Sequence, residues 1–370
     1  LRLVRTFMYS DASSHPHYSR SSLMEKSFLT KQAIGSASKW RHLNKVRWLT
    51  MSLVLALLVM LPFLHVYQTY LAAHAYDLLA PGEQKLYDVI EALTAPFVDD
   101  PVRDLDAIKG TTWSGRLFGV KMSDPLAVVG QMAAGFDFYK PFVLTALLPV
   151  VATLIFGRFF CGWICPANFL YELNTNLGIM LGRFGLQTGR RRLDSKLKYG
   201  VLAVGLLICG ISGSVVVAAV YPPAILGREI YYAIAHRGMG AGALFFTATL
   251  LFDLLVARRG FCRYLCPGGA LYSLLGRFRV LRIQRNVVTC NDCTKCNGVC
   301  EFGLNPLRDD FGQECNNCTA CIAVCPTDAL GFKWRITDAA NQGPGYQGPR
   351  YRHDQKGQQR QVFGNASAKT

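Results

Sequence analysis

The chain has little histidine, comparatively little acid and no nucleotide fingerprint, and each shortage closes off a class of function. Seven histidines are spread over 370 residues. His65 closes the first apolar run, and His74 and His236 fall in segments read as external. No histidine pair therefore stands inside the apolar runs, where a b-type haem would need its axial ligands. Gly238, Gly240 and Gly242 imitate half of a dinucleotide-binding loop. No strand precedes them and no acidic partner follows, so helix packing is the better account. Kinase and DNA-binding signatures are absent, which argues against a redox sensor that reports to a signalling partner. Acids number 24 against 40 Lys and Arg, a formal charge of +16. Such a balance points to nucleic acid when a recognition motif accompanies it, and none does. The basic residues flank apolar runs on one side, as positive-inside topology requires.

What is present is cysteine, thirteen in all, eight of them between Cys290 and Pro326. This stretch reads CNDCTKCNGVC and then CNNCTACIAVCP, two runs of Cys-x2-Cys-x2-Cys-x3-Cys. A [4Fe–4S] cube needs four thiolates, and in two-cluster ferredoxins the fourth cysteine of each run serves the other cube. The spacing thus predicts one cube on Cys290, Cys293, Cys296 and Cys325, and a second on Cys315, Cys318, Cys321 and Cys300. Asn291, Asp292, Asn316, Asn317, Thr319 and Ala320 are the small and turn-forming residues that let a backbone wrap an inorganic core. Pro326 follows the last cysteine as the bacterial motif expects, but Glu301 stands where the first run would have proline. Zinc sites and a disulfide framework are the competing readings; zinc ribbons use paired Cys-x2-Cys units, which runs of four exceed.

Apolar residues make up 51 % of the chain and gather in long runs. The expected fold class is membrane α-helical. A four-transmembrane-helix bundle leads into a C-terminal cytoplasmic, two-cluster, bacterial-ferredoxin-like α+β domain. Residues 1–47 read as a disordered basic cytoplasmic arm, with Met24 an alternative start. Residues 48–280 form the membrane domain, with spans at about 48–66, 142–156, 199–220 and 240–256. An uncleaved first helix is favoured over a signal peptide, because the basic region is long and the apolar run exceeds an h-region. Residues 67–140 carry ten acids and six Lys or Arg and read as external, with Pro125–Tyr139 an amphipathic or interfacial piece. A short external turn is expected at Tyr221-Pro222-Pro223. The ferredoxin domain covers 281–332 and a disordered tail 333–370. An even number of spans puts both termini and the ferredoxin domain in the cytoplasm of a bacterial inner membrane, where cysteines stay reduced.

Two further motifs follow the second and fourth spans: Cys161-Gly-Trp-Ile-Cys165-Pro166 and Cys262-Arg-Tyr-Leu-Cys266-Pro267. Each span with its motif reads as half of an internal duplication. At i, i+4 spacing both thiols of a motif face one way. Cys161, Cys165, Cys262 and Cys266 are therefore expected to carry a redox role, as ligands of a further metal or cluster or as a dithiol pair; reduced structural thiols are the alternative. Cys209 lies alone mid-span and reads as a packed thiol. Asp253, one turn inside the fourth span, is either functional or paired with Arg258 or Arg259.

Taken together, the spans, the FFCGWICP motif, the run LFDLLVARRGFCRYLCPGGALYSLLG and the paired cluster motifs resemble the NapH/NosH family of membrane ferredoxin-type proteins over roughly residues 40–332. The methylamine-utilisation protein MauN shares the layout. The resemblance implies an electron-transfer subunit of a quinol dehydrogenase. It would take electrons from quinol and work with a periplasmic NapG/NosG-type iron–sulfur partner in nitrate or nitrous oxide respiration. Two [4Fe–4S] clusters are the implied cofactors. The alternative is a maturation factor whose Cys-x3-Cys-Pro thiols reduce a metal or cofactor of a partner enzyme. The first external segment is longer than in the NapH pattern.

Overall fold

A computed structural model describes residues 42–94, 108–110, 114–117, 120–135, 140–184, 193–235, 238–287, 289–334, 351–353 and 359–361. The arm 1–41, Arg190–Arg192, His236 and most of the tail lie outside the described residues.

The first helix, α1 (His42–Ala72), is long and apolar enough to cross a membrane. At about 1.5 Å per residue it exceeds the ~30 Å hydrocarbon layer. It begins six residues before the expected span because Arg47, taken as part of the arm, is 1 % exposed and held by Glu172. The segment after α1 is folded rather than an open polar loop. α2 (Pro81–Thr94) packs Tyr87 and Ile90 against Tyr67 of α1. Strands β1 (Ile108–Gly110), β2 (Ser114–Leu117) and β3 (Val120–Ser123) form an antiparallel meander.

α3 (Pro125–Gly135) corrects the interfacial expectation. Leu126, Ala127, Val128 and Gly130 are buried, because the helix lies against α7, described below. The second expected span forms as α4 (Lys140–Thr145) and α5 (Leu147–Phe156). Pro149 can neither bond to the Thr145 carbonyl nor avoid crowding it, so the break falls between them. α6 (Pro166–Arg183) follows the first Cys-x3-Cys-Pro motif.

α7 (Leu197–Ser212) ends earlier than the expected third span, at Gly213 in the left-handed region (φ 64°). The chain then doubles back as a 3-10 segment, Val216–Val220, with Val217 against Gly205 of α7. Where an external turn was expected at Tyr221–Pro223, α8 (Pro222–Ala235) begins and packs against α1. α9 (Ala241–Leu255) supplies the fourth apolar helix. Gly240 and Gly242 sit against the Glu229 carboxylate, so close approach accounts for these glycines. α10 (Pro267–Leu275) follows the second motif. Besides α1, the apolar helices are Pro125–Gly135, Lys140–Phe156, Leu197–Ser212 and Ala241–Leu255, all shorter.

The duplication is longer than the motifs indicate. α3 opens Pro-Leu-Ala-Val-Val-Gly (125–130) and α8 opens Pro-Pro-Ala-Ile-Leu-Gly (222–227). Each half thus runs short helix, apolar helix, cysteine turn and amphipathic helix. One core joins both halves through Leu126, Tyr171, Cys209, Tyr221, Ile225 and Ala270. Cys209 is fully buried there, a packed thiol.

The C-terminal region is an α+β unit. β4 (Leu281–Arg285) pairs antiparallel with β5 (Leu330–Trp334), tying together the ends of the cysteine-rich stretch. Between them lie the one-turn helices α11 (Lys295–Gly298) and α12 (Ala320–Ala323). In the tail, expected to be disordered, β6 (Tyr351–His353) and β7 (Gln359–Gln361) pair as a hairpin.

Candidate metal centres

The two ferredoxin-type loops share one backbone design. Asp292 and Thr294 in the first loop, and Asn317 and Thr319 in the second, all have φ between 53° and 61°. These are the second and fourth residues after Cys290 and Cys315. Left-handed residues interspersed in a loop turn successive N–H groups inward, making an anion-binding nest. Asp and Asn tolerate that region better than most side chains.

Cys290, Cys293, Cys296 and Cys325 line one cavity. Burial and then the neighbouring Cys290, Cys293 and Cys325 push the Cys296 thiol up to about 11. The amide of Ala329 donates to Cys325 Sγ at 3.3 Å, and Arg285 to Cys290 Sγ at 3.7 Å. On the other side, burial raises the Cys321 thiol well above its ordinary range, and Cys318, Cys315, Cys300 and Cys296 add to it in that order. The first expected set thus shares a cavity, and Cys321 stands near Cys318, Cys315 and Cys300 but also near Cys296 of that first set. Among the described residues no three His, Cys, Asp or Glu gather closely enough to hold a metal ion. Four thiols lining one cavity are nonetheless the donor set an iron–sulfur cube uses, and left-handed turns beside them suit its negative charge.

Both Cys-x3-Cys motifs wind as π-helical turns, Phe160–Ile164 and Phe261–Leu265. Single π-turns recur at functional sites. Each turn hands over to a helix with proline at its first position, as the missing N–H permits. Cys161, Cys165, Cys262 and Cys266 all border one further cavity, with Arg158 and Phe302 beside them. Burial pushes the Cys266 thiol up to about 12 and raises Cys161, Cys165 and Cys262 as well. Asp253 pairs with neither Arg258 nor Arg259 among the described residues. Its Oδ1 instead accepts the Phe261 amide at 2.7 Å, holding the second π-turn.

The docking of the ferredoxin region onto these turns was not anticipated. Arg158 and Arg259 each stand three residues before the first cysteine of a motif, 1 % and 2 % exposed. Arg158 donates to Glu314 Oε2 at 2.9 Å, and Glu314 immediately precedes Cys315. Lys198 joins the same carboxylate, and Tyr199 Oη donates to its other oxygen at 2.8 Å. Arg259 pairs with Glu301, which immediately follows Cys300, and donates to Glu172 at 3.0 Å. Glu172 also accepts Arg47 at 2.5 Å. The residue that departs from the bacterial motif, Glu301, is thus one of two grips on the membrane domain. The two grips adjoin Cys300 and Cys315, which the spacing predicts to serve one cube.

Backbone contacts complete the joint. Trp163 Nε1 donates to the Asn317 carbonyl at 3.0 Å, Asn317 Nδ2 to the Phe156 carbonyl at 2.8 Å, and Arg279 to the Cys315 carbonyl at 3.2 Å. A Cβ at Gly162 would run into the Asn316 carbonyl oxygen. Gly162→Ala is therefore expected to destabilise the joint by about 1–3 kcal/mol, the usual range for overpacking. A lowered thermal midpoint of the detergent-purified protein checks this.

A family model described as a 4Fe-4S binding domain matches residues 141–183 and again 239–286. Each match covers one Cys-x3-Cys-Pro half, and Cys290–Pro326 lies outside both. The methylamine utilization ferredoxin-type protein MauN of Methylorubrum extorquens is 33% identical over 211 residues, 55% of this chain and 69% of the relative. Ferredoxin-type protein NapH of Haemophilus influenzae is 32% identical over 220 residues, 56% of this chain and 71% of the relative. MauN of Paracoccus denitrificans is 31% identical over 234 residues, 62% and 77% of the two chains. No solved structure matches.

Proposed function

Because this chain belongs to the family of membrane-associated ferredoxin-type electron-transfer proteins that includes NapH and MauN, we propose that it links the quinol pool to a periplasmic reductase pathway. In this reading it is the electron-transfer subunit of a quinol dehydrogenase. It spans a bacterial inner membrane four times, with both termini and the ferredoxin region on the cytoplasmic face. A periplasmic iron–sulfur protein of the NapG/NosG type is the partner, in nitrate or nitrous oxide respiration. Cys290, Cys293, Cys296 and Cys325 hold one [4Fe–4S] cube, and Cys315, Cys318, Cys321 and Cys300 hold the other. Each cube supplies a one-electron store when bound.

The observation that carries the reading is the double grip of Arg158 on Glu314 and Arg259 on Glu301. It fastens the Cys300/Cys315 side of the ferredoxin region onto the motifs that end the apolar helices. A fixed, close joint is what electron transfer between a membrane site and a ferredoxin requires. Cys165 and Cys266 are each 8 % exposed, while Cys161 and Cys262 are half-buried. The docked joint, rather than thiol exposure, favours the electron-transfer reading over a maturation factor.

The test is anaerobic. The protein is purified in detergent, and a menaquinol analogue is added while visible bleaching and EPR are followed, with and without the periplasmic partner. Reduction by quinol is expected. Reduction by dithionite alone, even with the partner present, overturns the quinol link.

A further inference from the structure

Each half of the membrane domain contributes two cysteines, and two thiolates do not complete an iron–sulfur site. We infer that Cys161, Cys165, Cys262 and Cys266 together ligate one iron–sulfur cluster, shared between the two halves. The family model recurs once per half; the structure makes those two matches the two sides of a single centre.

Three observations carry this. All four cysteines border the same cavity, although Cys161 and Cys262 are a hundred residues apart in the chain. None is in a disulfide. Finally, the surroundings suit an anionic core. The first turns of α6, α8 and α10 border the cavity through Ala167, Pro222 and Gly269, and helix N-termini stabilise negative charge. The Gly269 amide donates to Cys266 Sγ at 3.3 Å. Arg158 lines the cavity, and its buried Nε has no hydrogen-bond partner among the described residues. On assembly the four thiols give up their protons to solvent and the preformed cluster takes four Fe–S bonds.

The centre extends the electron-transfer reading to a site between the apolar helices and the Cys300/Cys315 set. Phe302, two residues beyond Cys300, borders the same cavity and lies under the Arg158 guanidinium, 5.3 Å from ring centroid to Cζ. The test does not use quinol, so it stands or falls separately from the quinol titration.

Full-length protein is isolated anaerobically, and iron and acid-labile sulfide are counted per chain. The wild type is expected to hold more of both than two cubes account for. The double variant Cys262→Ser/Cys266→Ser is expected to lose only that excess, keeping the EPR signals of the two ferredoxin cubes. Cys209→Ser, a buried thiol of the same core outside the ligand set, is expected to keep everything. Should the double variant fail to fold, the wild type alone decides. Iron equal to two cubes with alkylatable thiols at the four positions overturns the inference, as does zinc there or a disulfide between the motifs.

Discussion

Replacing Glu314 with alanine is expected to lower stability by about 3–5 kcal/mol, the range for stripping a partner from a buried ion pair. The magnitude follows from what the substitution leaves behind. Arg158 and Lys198, 1 % and 0 % exposed at their side chains, both depend on this one carboxylate. Without it Arg158 and Lys198 keep the Glu314 carbonyl and the Ser273 hydroxyl, both uncharged, and Tyr199 Oη loses its acceptor as well. Arg158→Met is expected to cost less, because Lys198 continues to neutralise Glu314. Thermal unfolding of the purified protein and its level in membranes check the ordering. Equal losses in the two variants would mean that the cluster does not act as a unit.

Single serine substitutions of the fourth cysteine in each run are expected to remove one whole cube apiece, about four irons per chain. The crossed arrangement makes a sharper statement than the iron count. Cys300→Ser should erase the same EPR component as Cys318→Ser, although Cys300 belongs to the first run. Cys325→Ser should erase the component that Cys293→Ser erases. If Cys300→Ser behaves like Cys293→Ser instead, each run serves its own cube and the crossed assignment fails. On the crossed assignment, the cube on Cys300, Cys315, Cys318 and Cys321 is the one beside the Cys-x3-Cys-Pro turns, because Glu301 and Glu314 adjoin Cys300 and Cys315.

The grouping of Cys290, Cys293, Cys296 and Cys325 around one cavity was legible because coordination chemistry fixes such spacings within a few residues of chain. The left-handed positions were partly legible too, since Asp292 and Asn317 are residues that adopt them readily. The apolar runs identified α1 and located α9, where composition and backbone agree. They misjudged the third span, because Val215–Val220 continues the apolar composition after Gly213 has already turned the chain; Ser212-Gly213-Ser214 was the signal. α3 and α8 were missed for a different reason. At 11 and 14 residues they are too short to read as spans, and only their shared Pro-x-Ala opening marks them as equivalents. The arginine grips were beyond reach from spacing. Arg158 and Glu314 lie 156 residues apart, and Arg259 and Glu301 are separated by 42. A lone Glu301 in a proline position is a departure whose meaning appears only when its partner is in view.

Phe302 and both gripping glutamates are translated after the rest of the four-cysteine cavity, whose other lining residues come from chain that ends before Gly276. A group inserted before that later stretch docks would not need the two ion pairs to open, and one inserted afterwards would. Weakening the grips at Glu301 and Glu314 is therefore expected to speed the loss of whatever the cavity holds, read as iron released from the purified protein over time.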